Sequence, residues 1–389
     1  MNPTAPLTPE RMAGQYQLQP GQQPGVLGGR PVLIDGLLTR WLRGQRGEAL
    51  GRSLSSVFTL CAHAHRRTAE LAMSAAQGQA SAAQTASTAL HLTLETARDH
   101  LRSLALDWPQ RLPGPAGKRP QLDWLSGCPL SLASGRTVPD AGAALEQLQR
   151  LQAWLEQRVL GQSIDAWLSE HSSELALAQW CQRHAEQLPP AYYLWHWYPS
   201  ASAIKGQAHD LTVLDTDQLR QQAQLTELAA ALAQQGDFAS YPTWRGACAE
   251  NGPWNRLRDR PAANTERSAW SRMGARWLEL LLLANAPHRA AAAPALLSCG
   301  AVHLAPGQAI GWCEMARGLL LHWVQLDPEG AVQDYRVLAP TEWNFHPQGA
   351  LSQAVSALGP HDQMQASMLA AAFDPCVACT VLEHQGDQS

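Results

Sequence analysis

Two cysteines close to the end of the chain, Cys376 and Cys379, place the strongest demand on how it can fold. They stand in Phe373-Asp374-Pro375-Cys376-Val377-Ala378-Cys379-Thr380. The two-residue gap lets both sulfurs point at one metal ion or close one disulfide. Two thiolates seldom complete a metal site, so a chain that uses them for a metal must fold back and bring other ligands to them. The natural contributor is Cys61-Ala62-His63-Ala64-His65, near the other end. Cys61 and His65 are four apart, which puts them on one helical face. Taken alone, such a helical pair is also what packing produces, and a CxxC is as much a redox pair as half a zinc site.

The rest of the chain is what a large packed protein requires. Of 389 residues, 45% are hydrophobic and 16% charged, a globular profile and not a disordered one. The net charge of −4 advertises no basic surface for nucleic acid or an anionic membrane. Lysine occurs only at 118 and 205, so arginine supplies nearly all the positive charge. No basic start followed by an apolar run marks an N-terminal signal, and apolar runs such as 280–284 are too short to span a bilayer. Eight cysteines without a regular framework fit a reducing compartment, which gives a cytoplasmic expectation.

Residues 1–30, rich in Pro, Gln and Gly, predict an irregular or disordered tail, and 31–389 a single domain. The fold class is mainly α (α+β). Leu54, Val57, Phe58, Cys61, His65 and Ala69 recur at helical steps from about Ser53. Further helices are expected within 68–106, 141–169, 175–187, 216–235, 266–284 and 349–373. Tyr192 to Pro199 reads as extended. Val302–Leu304, Leu319–Leu326 and Val332–Val337 read as small antiparallel strands within about 300–340, the last two joined by the turn Asp327-Pro328-Glu329-Gly330.

Four blocks taken in order carry a family signal. They are Ala249-Glu250-Asn251-Gly252-Pro253-Trp254-Asn255-Arg256, Glu314-Met315-Ala316-Arg317-Gly318 with His322, Pro340-Thr341-Glu342-Trp343-Asn344, and Asp374-Pro375-Cys376-Val377-Ala378-Cys379. This order resembles the large subunit of nickel–iron hydrogenases, whose N-terminal motif, Arg-x-Cys-Gly-x-Cys-x-x-x-His, Ser56 to His65 also resembles. The resemblance covers most of residues 43–382. Phe58 stands where that motif has its first Cys, Leu382 where the family has a His after its terminal pair, and Ala316 where it has Pro. No segment matches the family's early Arg-x-Glu-Gly-His.

The resemblance implies a helical-bundle fold like that large subunit, and roles for single residues. Cys61 and Cys379 would be thiolates facing iron, Cys376 a thiolate facing nickel, and Phe58 the loss of the other nickel ligand. Nickel needs soft donors to be held tightly, so no nickel and no hydrogen turnover are expected. Iron in this family carries two cyanides and one carbon monoxide. Arg317 would point its guanidinium at one cyanide, and the Pro340-Thr341 step would offer Thr341 to the other. His65 would hydrogen-bond a thiolate sulfur. The combination resembles the hydrogenase expression/formation proteins of the HupK type, also called HoxV. It implies a scaffold that transiently holds an iron–dicyanide–carbonyl fragment and passes it to an apo large subunit, with HypC–HypD type chaperones supplying the iron. Two other readings stay open. One is a degenerate, metal-free homologue that works only through protein contacts. The other is an enzyme with an altered site, for which Cys313 is the one candidate fourth ligand.

Overall fold

The computed structural model describes residues 14–30, 36–79, 86–112, 122–133, 140–206, 208–258, 266–289 and 296–383. Its helices include α1 (Gly47–Val57), α2 (Ala62–Ala76), α3 (Ala86–Arg102), α4 (Ala141–Trp154), α5 (Glu174–His184), α6 (Pro189–His196), α7 (Gln218–Gln234) and α8 (Ala269–Ala284). After the main sheet come α9 (Pro340–Asn344), α10 (Ala350–Ser356) and α11 (Gln363–Phe373).

The centre of the molecule is α8. Every residue in it except Leu282 is buried, the charged Arg272, Arg276 and Glu279 included. Burying Leu280, Leu281 and Leu283 contributes about 1.5–3 kcal/mol each. Ser268 and Ser271 start the helix with reciprocal caps. Its buried charges are all paired: Arg272 donates twice to Glu250, and Glu279 accepts from Arg256 and bonds His100. Together these pairs hold Glu279 down at about 2, against the cost of burial.

Two short strands, β3 (His209–Asp210) and β4 (Ala249–Glu250), pair in parallel, and four more, β5 (Cys299–Ala305), β6 (Gln308–Met315), β7 (Gly318–Leu326) and β8 (Val332–Leu338), form an antiparallel meander in that order. The predicted turn after Leu326 closes its last hairpin, with Gly330 N donating to Asp327 O. Strand β6 was not expected. Helices cover both faces of the sheet, so β6 is buried on both sides and lacks the alternation that marks a half-exposed strand. Ala309, Cys313 and Met315 join the main core, on the side of α2, while Ile310 and Trp312 join a second core with Leu225 and Leu228 of α7. Gly311 lets α2 approach: a Cβ there would stand 2.7 Å from Thr68 O.

Three further expectations change. Residues 14–30, within the expected irregular tail, form strands β1 (Gln15–Leu18) and β2 (Val26–Gly29); residues 1–13 lie outside the described residues. Strand β1 pairs antiparallel with β2 and parallel with β9 (Ala378–Val381), which opposes Tyr16 to Cys379. Pairing with a distant strand orders a segment whose own composition is poor in strand formers. Tyr192 to Pro199 is helical, because Pro189 and Pro190 begin α6 at its first positions, where their missing N–H groups cost nothing. The helix expected through Ser53–Ala69 breaks. Phe58 leaves the helical region at φ −98°, ψ 66°, and a tight turn over Thr59–Cys61 precedes α2. The side chain of Glu95 then accepts from His63 N and Ala64 N at 2.7 and 2.9 Å, capping α2 with a carboxylate.

Candidate metal-fragment cavity

The break at Phe58 exposes Cys61 to a cavity of about 640 Å³. Phe58, Cys61 and His65 line it from the N-terminal half, and Met315, Pro340, Thr341 and Cys376 from the C-terminal half. Two cysteines from opposite ends of the chain therefore face one space. Trp41 and Val57, both more than a third exposed, sit at its wall beside Leu37 and Leu60.

Each thiol has a defined setting. Burial pushes the Cys61 thiol well up, and the negative charges of Cys376, Glu95 and Asp99 add to this, against Arg317. A cation at that sulfur would displace its proton. Cys376 Sγ and Thr341 Oγ1 are hydrogen-bonded at 3.2 Å. Cys379 is not among the lining residues. It is partly buried on β9, its thiol pushed up by burial to about 11 with Arg111 opposing.

His65 is fixed by its neighbours. The Phe58 ring stacks on it at 3.8 Å between centroids and 4° between planes. Its Nδ1 lies 3.0 Å from His322 Nε2, and His322 Nδ1 lies 2.7 Å from the Tyr335 hydroxyl. Burial drives both imidazoles down, His322 to about 3, so both are neutral. Phe58 thus presents an aromatic face to the cavity, stacked on His65.

Two arginines set the potential. Arg30 lines the cavity and donates through Nε and Nη2 to the Glu342 carboxylate, each at 2.7 Å, with both side chains buried. Neither residue was assigned a role from sequence. Glu342 lay inside a quoted block, whereas Arg30 ended a segment read as tail and gave no signal. Arg317 is not in the cavity wall. It is buried behind it, donating to Asp99 at 3.0 Å and to the Asp374 carbonyl at 2.9 Å. Burial opposes the charges of Arg30 and Arg317, but nearby anions, Cys376 among those acting on both, more than offset it.

The family blocks are held together as one unit. Leu319 N donates to Asn251 Oδ1, Asn251 N to Asn344 Oδ1, and Asn344 Nδ2 to Asn251 O. Gly318, at φ 135°, passes so close that a Cβ would meet Asn251 Oδ1 at 1.6 Å. Asp374, at φ 50°, ends α11 and receives Ser103, Arg111, Arg276 and Arg317. Burial raises its pKa, but the three arginines hold the carboxyl far below its usual range. Cys313 is not among the residues lining the cavity and sits beside Cys299 and Thr68, so it offers no fourth ligand there. Among the described residues no group of three or more His, Cys, Asp or Glu side chains is placed to hold a metal ion. None of their helices is long and apolar enough to cross a membrane.

Residues 260–382 match the nickel-dependent hydrogenase family. In solved structures the same architecture occurs in the [NiFeSe] hydrogenase G491S variant from Desulfovibrio vulgaris Hildenborough, with TM-score 0.52 and 17% identity over 90% of this chain and 92% of that one. An NAD+-reducing [NiFe]-hydrogenase gives TM-score 0.52 and 13% identity over the same shares. The chain therefore has the fold of the nickel–iron hydrogenase large subunit.

Among proteins of known role, the hydrogenase expression/formation protein HoxV of Cupriavidus necator is 39% identical over 388 residues, 95% of each chain. HupK of Rhizobium leguminosarum bv. viciae is 33% identical over 159 residues, 39% of this chain and 43% of that protein. The chain belongs to the family of hydrogenase expression/formation proteins.

Proposed function

We propose that this protein is an assembly scaffold for nickel–iron hydrogenase, not a catalyst of hydrogen turnover. Its cargo is an iron fragment carrying two cyanides and one carbon monoxide. Cys61 and the Cys376/Cys379 pair hold it, and it passes to the apo large subunit. HypC–HypD type chaperones supply the iron, in the cytoplasm. The observation that carries this reading is the convergence of Cys61 and Cys376 on one cavity, with Phe58 where a further sulfur would stand. Two or three thiolates hold a soft, cyanide-bearing iron, and fewer protein ligands leave it easier to release than a four-thiolate site does. Coordination beyond these sulfurs comes from the diatomic ligands. Arg30 and Arg317 supply positive potential to the anionic fragment, and His65 and Thr341 supply hydrogen bonds to sulfur or cyanide.

The tie between Arg317 and two carboxylates favours a second reading, a metal-free protein that acts only by contact. Infrared spectroscopy of the full chain, isolated from cells with an active hydrogenase maturation system, separates the two. The scaffold reading expects cyanide and carbonyl stretches, lost in Cys61→Ala. A protein without such bands, yet still required for hydrogenase formation, supports the metal-free reading.

A further inference from the structure

A second pair of cysteines lies outside the cavity. Cys299 on β5 and Cys313 on β6 are register partners in the main sheet. Glu314 N donates to Ser298 O at 2.8 Å, which makes 298 and 314 a hydrogen-bonded pair. Antiparallel pairing alternates, so Cys299 and Cys313 occupy the non-hydrogen-bonded position, where Cα atoms stand about 4.5 Å apart and side chains approach most closely. That separation falls within the roughly 4.4–6.8 Å a disulfide spans. Both cysteines are free, and each thiol shifts the proton affinity of the other.

Their surroundings differ in a useful way. Cys313 is fully buried, beside Thr68 of α2. Cys299 is on the edge strand and retains 8% exposure. The neighbouring Cys313 thiol draws Cys299 toward the thiolate and the Arg67 guanidinium assists, against burial. Cys299 thus keeps a small exposed area and a lowered pKa, and Cys313 is sheltered beside it.

We propose that Cys299 and Cys313 form a redox-active dithiol that a hydroperoxide converts to a cross-strand disulfide. The Cys299 thiolate attacks the peroxide O–O bond, giving a sulfenic acid and releasing hydroxide. The Cys313 sulfur then attacks the Cys299 sulfur, the S–O bond breaks, and water leaves. In sum, two thiols lose two electrons and two protons, and one hydrogen peroxide becomes two waters. The site is independent of the iron cargo. It lies under α2, the helix whose first turn bears His65.

The test is hydrogen peroxide titration of the full reduced chain, then alkylation and peptide mapping. Trypsin leaves Cys299 and Cys313 on one peptide, between Arg289 and Arg317, and Cys376 and Cys379 on another. The expected result is loss of both alkylatable thiols from the first peptide, with its mass lowered by two hydrogens. Cys313→Ser should stop the reaction at a sulfenic acid on Cys299, trapped by dimedone, and Cys299→Ser should leave Cys313 reduced. Oxidation confined to the Cys376/Cys379 peptide, or attack on Cys313 before Cys299, would overturn the proposal. The wild-type map alone decides it should either serine variant fail to fold.

Discussion

The knot around Asp374 and Asn251 and the cavity beside it are built on opposite principles. In the knot the polar groups are densely paired: three arginines and a serine on one carboxylate, and three hydrogen bonds between Asn251, Leu319 and Asn344. In the cavity the sulfurs of Cys61 and Cys376 face open space, with apolar walls and two buried cations within electrostatic reach. A densely paired frame next to a sparsely liganded pocket would suit the proposed carrier: rigidity would sit in the frame, and a cargo would meet few fixed bonds. Substitutions in the knot should therefore cost stability, and those in the cavity should change metal handling.

The largest effect is expected at Asp374. Asp374→Ala leaves Arg276 and Arg317 buried without that carboxylate, and breaking such a group costs about 3–5 kcal/mol. A urea titration that showed less than about 1 kcal/mol would break the contrast. Gly318→Ala comes next. The positive φ and the clash with Asn251 Oδ1 should cost about 2–3 kcal/mol, read the same way.

In the cavity the sign of interest is gain. Phe58→Cys removes the ring stacked on His65 and adds a sulfur beside Cys61 and Cys376. We expect this variant to hold nickel that the parent does not hold, measured by elemental analysis after desalting, with stability lowered by about 1–2 kcal/mol for the lost packing. Unchanged nickel content would mean that the space around Phe58 is not a vacated ligand position.

The last effect is a pH dependence. Burial raises Glu95 from 4.5 to about 8, with Asp99 adding to the shift. The folded protein then binds that proton more tightly than the unfolded chain does. Stability should fall as pH rises from about 4.5 to about 8. Glu95→Gln should flatten this slope, and a wild-type slope no steeper than the variant's would show that the carboxyl is not buried in this way.

Much of the frame was legible in sequence because its residues are locally unmistakable. Asp374-Pro375-Cys376, Pro340-Thr341 and Arg317-Gly318 announce themselves as blocks, and the structure joins three of them with the Asn251 block through named hydrogen bonds. What escaped depends on partners far along the chain. Arg30 has meaning only beside Glu342, and β1 only beside β9. Strand β6 hid because helices cover both its faces, and the break at Phe58 hid because the apolar spacing continues through it. Cys376 and Cys379 are alike in sequence, and only the fold turns the first to the cavity and seats the second on a strand opposite Tyr16.

The central claim is that sulfurs from the two ends of the chain grip one iron. Iron X-ray absorption on the full chain isolated from maturation-competent cells tests it most directly. The account predicts short iron–carbon scattering together with iron–sulfur scattering near 2.3 Å, taking the zinc–thiolate distance of about 2.3 Å as the guide. It predicts one sulfur fewer in Cys61→Ala, and one fewer in Cys376→Ala or Cys379→Ala, whichever supplies the second thiolate. Iron without sulfur neighbours, or a sulfur count untouched by Cys61→Ala, would contradict it.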